Sequence, residues 1–325
     1  SLLVLFLSIV SIIGAQEDEK ELFLEAESRF RSKNYELALE GYNKLLREYP
    51  LSRYVPDAQF RKAVSLYRLE RFGEALSLFN TIETRYTSTR FYSYVPFWKG
   101  VIQYKQQNYQ KAASSLASFL SGRSAAEIEL DASIIRQAFL YKGLSEEKLD
   151  KAAEARATFK AMVKELESPS SEPFAVTNYI ALSVKTGNYQ DAINTYTNLD
   201  PENFESTWRE RIQFYTAEAY WHTKEYDKAE SIYKKLTDAS SGIASTSFQR
   251  RFLIAQMRGE SEKLTRILTE AEVALAGQTE TLKDFWLQVG IESFKQDKIS
   301  LAESYFQRVW NLKENTKISA TAPLY

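Results

Sequence analysis

From about residue 20 onward the apolar positions recur with the period of a helix, and the same apolar set returns at a near-constant interval. An alanine anchors each copy: Ala38, Ala75, Ala112, Ala155, Ala192, Ala229 and Ala302, with Leu264 standing in that place in the seventh. Successive separations are 37, 37, 43, 37, 37, 35 and 38 residues, so eight units cover about residues 20–314. Four residues after the anchor comes a bulky side chain: Tyr42, Phe79, Leu116, Phe159, Tyr196, Tyr233, Leu268 and Phe306. Three further on most units carry another, as in Leu45, Ile82, Phe119, Met162, Leu199, Leu236 and Val309. Offsets of zero, four and seven share one helical face. Twelve residues before the anchor a small residue recurs as Ala26, Ala63, Gly100, Gly143, Ala217 and Gly290, with Ile180 and Phe252 in the fifth and seventh units. Small residues at both places would let two antiparallel helices approach closely. Asn34, Asn108 and Asn188 suit the left-handed residue that ends a first helix. Pro56 and Pro96 suit helix starts, and Pro50 a helix stop. The expected fold is all-α without sheet, a right-handed α-α superhelix of about eight helical hairpins.

The order of small residue, turn, alanine and bulky residue resembles the tetratricopeptide repeat, with Pro50 in the family's terminal proline position. That resemblance covers nearly the whole chain and implies a solenoid that works by binding other proteins. The interval of 37 residues is longer than the usual period of about 34. The first three units are similar to something narrower. Tyr35-Glu36-Leu37-Ala38, then Tyr49-Pro50-Leu51-Ser52-Arg53-Tyr54, Ala58-Gln59 and the run from Tyr92 to Gly100 resemble BamD-type outer-membrane assembly lipoproteins and the periplasmic Tol–Pal coordinator. This similarity spans about residues 22–120 and implies a periplasmic or cell-envelope scaffold, in outer-membrane protein assembly or envelope maintenance. The sequence departs from the lipoprotein pattern in having Gln16 where a lipidated cysteine is required, and no cysteine anywhere.

Composition narrows the chemistry. Lys+Arg 42 against Asp+Glu 43 gives a formal net charge of −1, which argues against a nucleic-acid partner. The absence of cysteine and the single histidine, His222, leave no thiolate or multi-histidine metal site and no cysteine nucleophile. No phosphate-binding glycine loop or hydrolase motif occurs, so neither cofactor nor metal is expected and the chain is read as a non-enzyme. Residues 1–13, SLLVLFLSIVSII, are short for a membrane span of about 20 residues and fit a signal-peptide core over residues 1–15, followed by the polar run from Gln16. The expected location is periplasmic or secreted; the alternative is an uncleaved N-terminal anchor. Ser121-Gly122-Arg123-Ser124 marks the expected break between repeats 1–3 (residues 20–120) and repeats 4–8 (residues 131–314), with residues 315–325 as a tail.

The candidate binding positions lie on the first helices. Phe60, Val64, Tyr67 and Arg68 recur at the same offsets as Phe97, Val101, Tyr104 and Lys105. Equivalent positions on successive hairpins align into a strip, so an apolar-aromatic groove that docks a peptide is one reading. Packing between neighbouring first helices is the other. A basic residue directly follows the position of Tyr67 and Tyr104 in six units: Arg31, Arg68, Lys105, Lys148, Lys185 and Lys295. The Lys and Asn of the chaperone-type carboxylate clamp are absent, since the corresponding positions are Phe60 and Val64, then Phe97 and Val101. A protein or peptide partner is the leading expectation. The alternative is the helical arm of a larger envelope enzyme of the lytic transglycosylase kind, with its catalytic domain outside this chain.

Overall fold

A computed structural model describes residues 18–122, 130–237 and 241–311. Within them the secondary structure is helical, sixteen α-helices with no strand. The chain forms two compact units that divide inside one helix, between Met162 and Val163. The first holds α1 (18–31), α2 (Tyr35–Glu48), α3 (Val55–Arg68), α4 (Phe72–Arg85), α5 (Val95–Lys105), α6 (Tyr109–Gly122), α7 (Ala132–Lys148) and most of α8 (Ala152–Lys164). The second holds α9 (Pro173–Lys185), α10 (Tyr189–Thr197), α11 (Ser206–His222), α12 (Tyr226–Lys235), α13 (Ser241–Met257), α14 (Ser261–Ala274), α15 (Thr279–Lys295) and α16 (Ile299–Asn311). These are the eight expected hairpins. The expected break near residues 121–130 does not separate the units, because α7 packs on both α5 and α6. The signal segment, residues 123–129 and the tail fall outside the described residues.

Every hairpin turns in the same way. The residue five before each anchor has a positive φ of 56–74°: Lys33, Glu70, Gln107, Asp150, Gly187, Lys224, Gly259 and Asp297. The next amide then donates to a carbonyl five residues back, as in Asn34 to Arg29, Arg71 to Leu66, Asn108 to Gln103 and Asn188 to Ser183. This is the Schellman closure, which satisfies carbonyls that a helix end leaves open. It corrects the reading of the asparagines. Asn34 has φ −86° and caps the second helix, its side chain accepting from the Leu37 amide. The left-handed residue is the one before it. Only Gly187 and Gly259 take that conformation without a Cβ; the six others carry about 1 kcal/mol of strain each. The prolines behave as read: Pro56 and Pro96 lie in the first turns of α3 and α5, and Pro50 follows the end of α2.

Packing inside a hairpin follows from one pair. The small residue on the first helix faces the bulky residue on the second, and the anchor alanine is fully buried beside them. A Cβ added to Gly100 would lie 2.5 Å from Leu116, one on Gly143 2.6 Å from Phe159, and one on Gly290 2.7 Å from Phe306. The small residue is therefore a seat for a ring or a leucine, and in the first and third hairpins the helices also approach closely there, a Cβ on Gly41 lying 3.4 Å from the Ala26 Cα and one on Gly100 3.2 Å from the Leu116 amide nitrogen. A fully buried Phe79 or Phe159 contributes about 1.5–3 kcal/mol of burial. Where the seat is filled, the pattern shifts. Ile180 is fully buried, and its opposite, Tyr196, is left half-buried. Phe252 fills the seat in the seventh hairpin, and the buried stripe of α14 becomes Ile267, Ala271 and Leu275, with Leu264 and Leu268 only half-buried.

Candidate functional site

The first-helix rings sort into two rows with different fates. Fifteen residues before the anchor, Phe23, Phe60 and Phe97 are buried, at 4%, 2% and 2% exposure. Phe23 stacks on Tyr54 at 4.8 Å and Phe60 on Phe91 at 5.0 Å, so each ring is clamped by the loop that leads into the next hairpin. Val64 and Val101 are equally buried. Phe60, Val64, Phe97 and Val101 are thus core side chains of the first unit, each closed off from a ligand by its neighbours.

The row eight residues before the anchor is different. Tyr67 and Tyr104 are half-buried, and Arg68 and Lys105 beside them are exposed. Four rings of this row meet the opening residue of their own second helix, Phe30–Tyr35 at 5.6 Å, Tyr67–Phe72 at 5.7 Å, Tyr104–Tyr109 at 5.5 Å and Trp221–Tyr226 at 5.4 Å, while Phe294 in the last hairpin is exposed. Each of the four also meets a side chain of the following hairpin, six residues nearer that helix's start. Phe30 takes the Arg61 guanidinium at 4.8 Å, Tyr67 takes Trp98 at 5.0 Å, Tyr104 takes Tyr141 at 5.0 Å and Trp221 takes the Arg250 guanidinium at 4.6 Å. Edge-on and tilted ring pairs of this kind add about 0.5–1.5 kcal/mol beyond burial. Within the first unit these contacts place Tyr67, Trp98, Tyr104 and Tyr141 in a half-exposed aromatic row across α3, α5 and α7. Burial pushes the Tyr67 and Tyr104 phenols above the ordinary tyrosine range.

Trp98, Tyr141, Arg61 and Arg250 do not stand out in the repeat comparison. They occupy one position, but it holds a guanidinium in two hairpins, a ring in three (Trp98, Tyr141 and Tyr215) and neither in the other three. Only the rings they cover recur as a type.

The same position serves a buried network. The Tyr42 hydroxyl donates to Glu27 at 2.6 Å, and Arg61 pairs with that carboxylate at 3.0 Å. In the second unit the Tyr233 hydroxyl donates to Glu218 at 2.5 Å, and Arg250 grips both Glu218 oxygens at 2.8 and 2.6 Å. Burial first, and the carboxylates second, hold both phenols protonated well above the usual range. In each network the buried carboxylate is paired with a guanidinium within the protein, as a buried charge must be.

The basic row ends the first helices. Arg31, Arg68, Lys105, Lys148, Lys185 and Lys295 are all exposed, and each lies in the last turn of its helix, where a cation meets the negative end of the dipole. His222 occupies this position in the sixth hairpin and stacks on Tyr189 at 4.6 Å. Among the described residues no cluster of acidic or histidine side chains suits a metal ion, and no helix is long and apolar enough to cross a membrane.

Comparison with known proteins gives two family matches. The model of an outer membrane lipoprotein family, YfiO, matches residues 15–165, and a tetratricopeptide-repeat model matches residues 183–242. No curated protein matches the sequence significantly. Among solved structures, the C-terminal part of a TPR repeat-containing protein from Cytophaga hutchinsonii is 17% identical with a TM-score of 0.51, covering 81% of this chain and 98% of that one. The apo form of RapI is 11% identical with a TM-score of 0.50, covering 82% of this chain and 78% of that one. At these identities the structures establish the fold: tandem tetratricopeptide hairpins.

Proposed function

Since the chain is a tetratricopeptide-repeat protein whose first unit resembles BamD-type outer-membrane lipoproteins, we propose that it is a non-catalytic protein-interaction scaffold of the bacterial cell envelope. It holds a polypeptide against the first helices of Ser1–Met162 without turning it over. The observation that carries this reading is the half-exposed row of Tyr67, Trp98, Tyr104 and Tyr141. Rings are enriched where proteins dock, because they bury a large area at low entropic cost. The row crosses several hairpins, as suits an extended or helical peptide. The lipoprotein match supports the envelope setting, and the apolar run ahead of Gln16 supports export.

Crosslinking in the native envelope, followed by mass spectrometry, identifies the partner. Tyr67→Ala and Tyr104→Ala are then each expected to weaken its binding by about 1–2 kcal/mol. Folding midpoint and binding are measured on each variant. Loss of stability alone, with the remaining folded protein binding normally, reduces these rings to packing and refutes the reading.

A further inference from the structure

Four cations occupy one repeated position in the first unit: Arg31, Arg68, Lys105 and Lys148, each seven residues before its anchor and each exposed. Among the described residues none of the four makes an ion pair or a side-chain hydrogen bond. Other cations of the same unit are mixed: Arg29 pairs with Glu25, Arg71 with Glu74, Lys99 with Glu83 and Lys142 with Glu146, whereas Lys33, Lys44, Lys62 and Lys111, scattered over other positions of the repeat, do not pair. In the second unit the position is mixed. Lys185 is again an exposed cation, Lys295 pairs with Glu292 at 2.8 Å, the His222 ring stacks on Tyr189, and Met257 is uncharged. The helix dipole accounts for a cation at this position. It does not account for all four of the first unit standing without a carboxylate partner.

Three of the four also run beside rings, Arg31, Arg68 and Lys105 following Phe30, Tyr67 and Tyr104, while Lys148 follows Glu147. Each cation directly follows the residue eight before the anchor, and the Arg68 guanidinium lies 5.7 Å from the Tyr67 ring and 5.6 Å from the Trp98 ring. Packed helices stand about 8–10 Å apart, roughly one Debye length at physiological salt. Like charges at that spacing reinforce one another, and an anionic ligand relieves them together.

We propose that this row receives an acidic, extended segment of a polypeptide. Its carboxylates meet Arg31, Arg68, Lys105 and Lys148 in turn, while its apolar side chains lie on the Tyr67–Trp98 and Tyr104–Tyr141 pairs. An extended chain rises about 3.3 Å per residue, so helices about 9 Å apart call for an acidic residue at about every third position. The inference rests on the polypeptide-binding reading and adds the chemistry of the partner.

The test uses the full chain and three synthetic peptides of one length, with glutamate, glutamine or lysine at every third position and leucine between. Binding is followed by fluorescence anisotropy at low and high salt. The glutamate peptide is expected to bind at least about tenfold more tightly than the glutamine peptide at low salt, with the advantage shrinking as salt screens it. The double variant Arg68→Glu, Lys105→Glu should lose that advantage and gain affinity for the lysine peptide, with its thermal midpoint lowered only slightly by the reversed charges at two exposed helix ends. If glutamate and glutamine peptides bind equally and Tyr104→Ala weakens both, the acidic specificity is overturned and the aromatic surface stands. If no peptide binds, the acidic inference falls, and envelope crosslinking decides the parent reading separately. A single-stranded oligonucleotide that outcompetes the glutamate peptide overturns the inference in favour of phosphate recognition.

Discussion

The two units are built from the same hairpin but obey its packing rule to different degrees. In Ser1–Met162 all four hairpins bury the bulky residue fully: Leu116 sits against Gly100 and Phe159 against Gly143, and Tyr42 and Phe79 lie in the same core clusters as Ala26 and Ala63. In Val163–Tyr325 only the sixth and eighth keep the bulky residue buried, Tyr233 in one cluster with Ala217 and Phe306, 8% exposed, against Gly290. Ile180 and Phe252 fill the seat themselves in the fifth and seventh, and Tyr196 and Leu268 move outward. The buried side chain comes from the first helix instead of the second. The hairpin tolerates either arrangement because close packing constrains the volume rather than the identity of the residue that supplies it.

The sharpest way to break this comparison is to delete the bulky residue in each kind of hairpin. Phe79→Ala should cost about 3–5 kcal/mol and Leu268→Ala less than about 2, read from chemical denaturation. Equal losses would mean that Phe252 does not replace the seated residue. The shared polar network comes next. Arg250→Met leaves Glu218 buried against Tyr233 without its cation and should cost about 3 kcal/mol. Adding Glu218→Gln should recover part of that in a double-mutant cycle; no recovery would show that Arg250 acts through its stacking on Trp221. Third is the anchor. Ala112→Leu overpacks a fully buried position and should cost about 1–3 kcal/mol, whereas Leu264→Ala, at the matching but half-buried position, should cost less than about 1. An unchanged denaturation midpoint for Ala112→Leu would show that the register is wrong. The smallest effect lies in the turns. Gly187→Ala forces a Cβ into a left-handed turn and should cost about 1 kcal/mol, while Gln107→Gly should stabilise by a few tenths to about 1. Two changes of the same sign would remove the turn from the comparison.

Much of the fold was legible because a repeat states each requirement eight times. Ala38 and its equivalents, the bulky residue four later and the small residue twelve before together named the hairpins and their registers. The turn was misread because Asn34, Asn108 and Asn188 look like left-handed residues, yet the strained position is one earlier, at Lys33, Gln107 and Gly187. Its side chains are too varied to advertise it, since the backbone is held there by the Schellman bonds rather than by residue preference. The seventh hairpin was placed by spacing alone, and its rotated stripe could not be seen, because Leu264 and Ile267 are equally apolar.

The candidate surface divides along the same line. The sequence alone determined which positions are equivalent from hairpin to hairpin, since periodicity is a property of the chain. It marked Phe60, Val64, Tyr67 and Arg68, with Phe97, Val101, Tyr104 and Lys105, as two copies of one strip. Only the tertiary structure decided which of these face outward. Phe60, Val64, Phe97 and Val101 are closed off by the loops and helices of neighbouring hairpins, and Tyr67 and Tyr104 gain Trp98 and Tyr141 as companions from the hairpin that follows. Exposure depends on what the next repeat places against a side chain, and that partner lies more than thirty residues away in a position with no constant residue type.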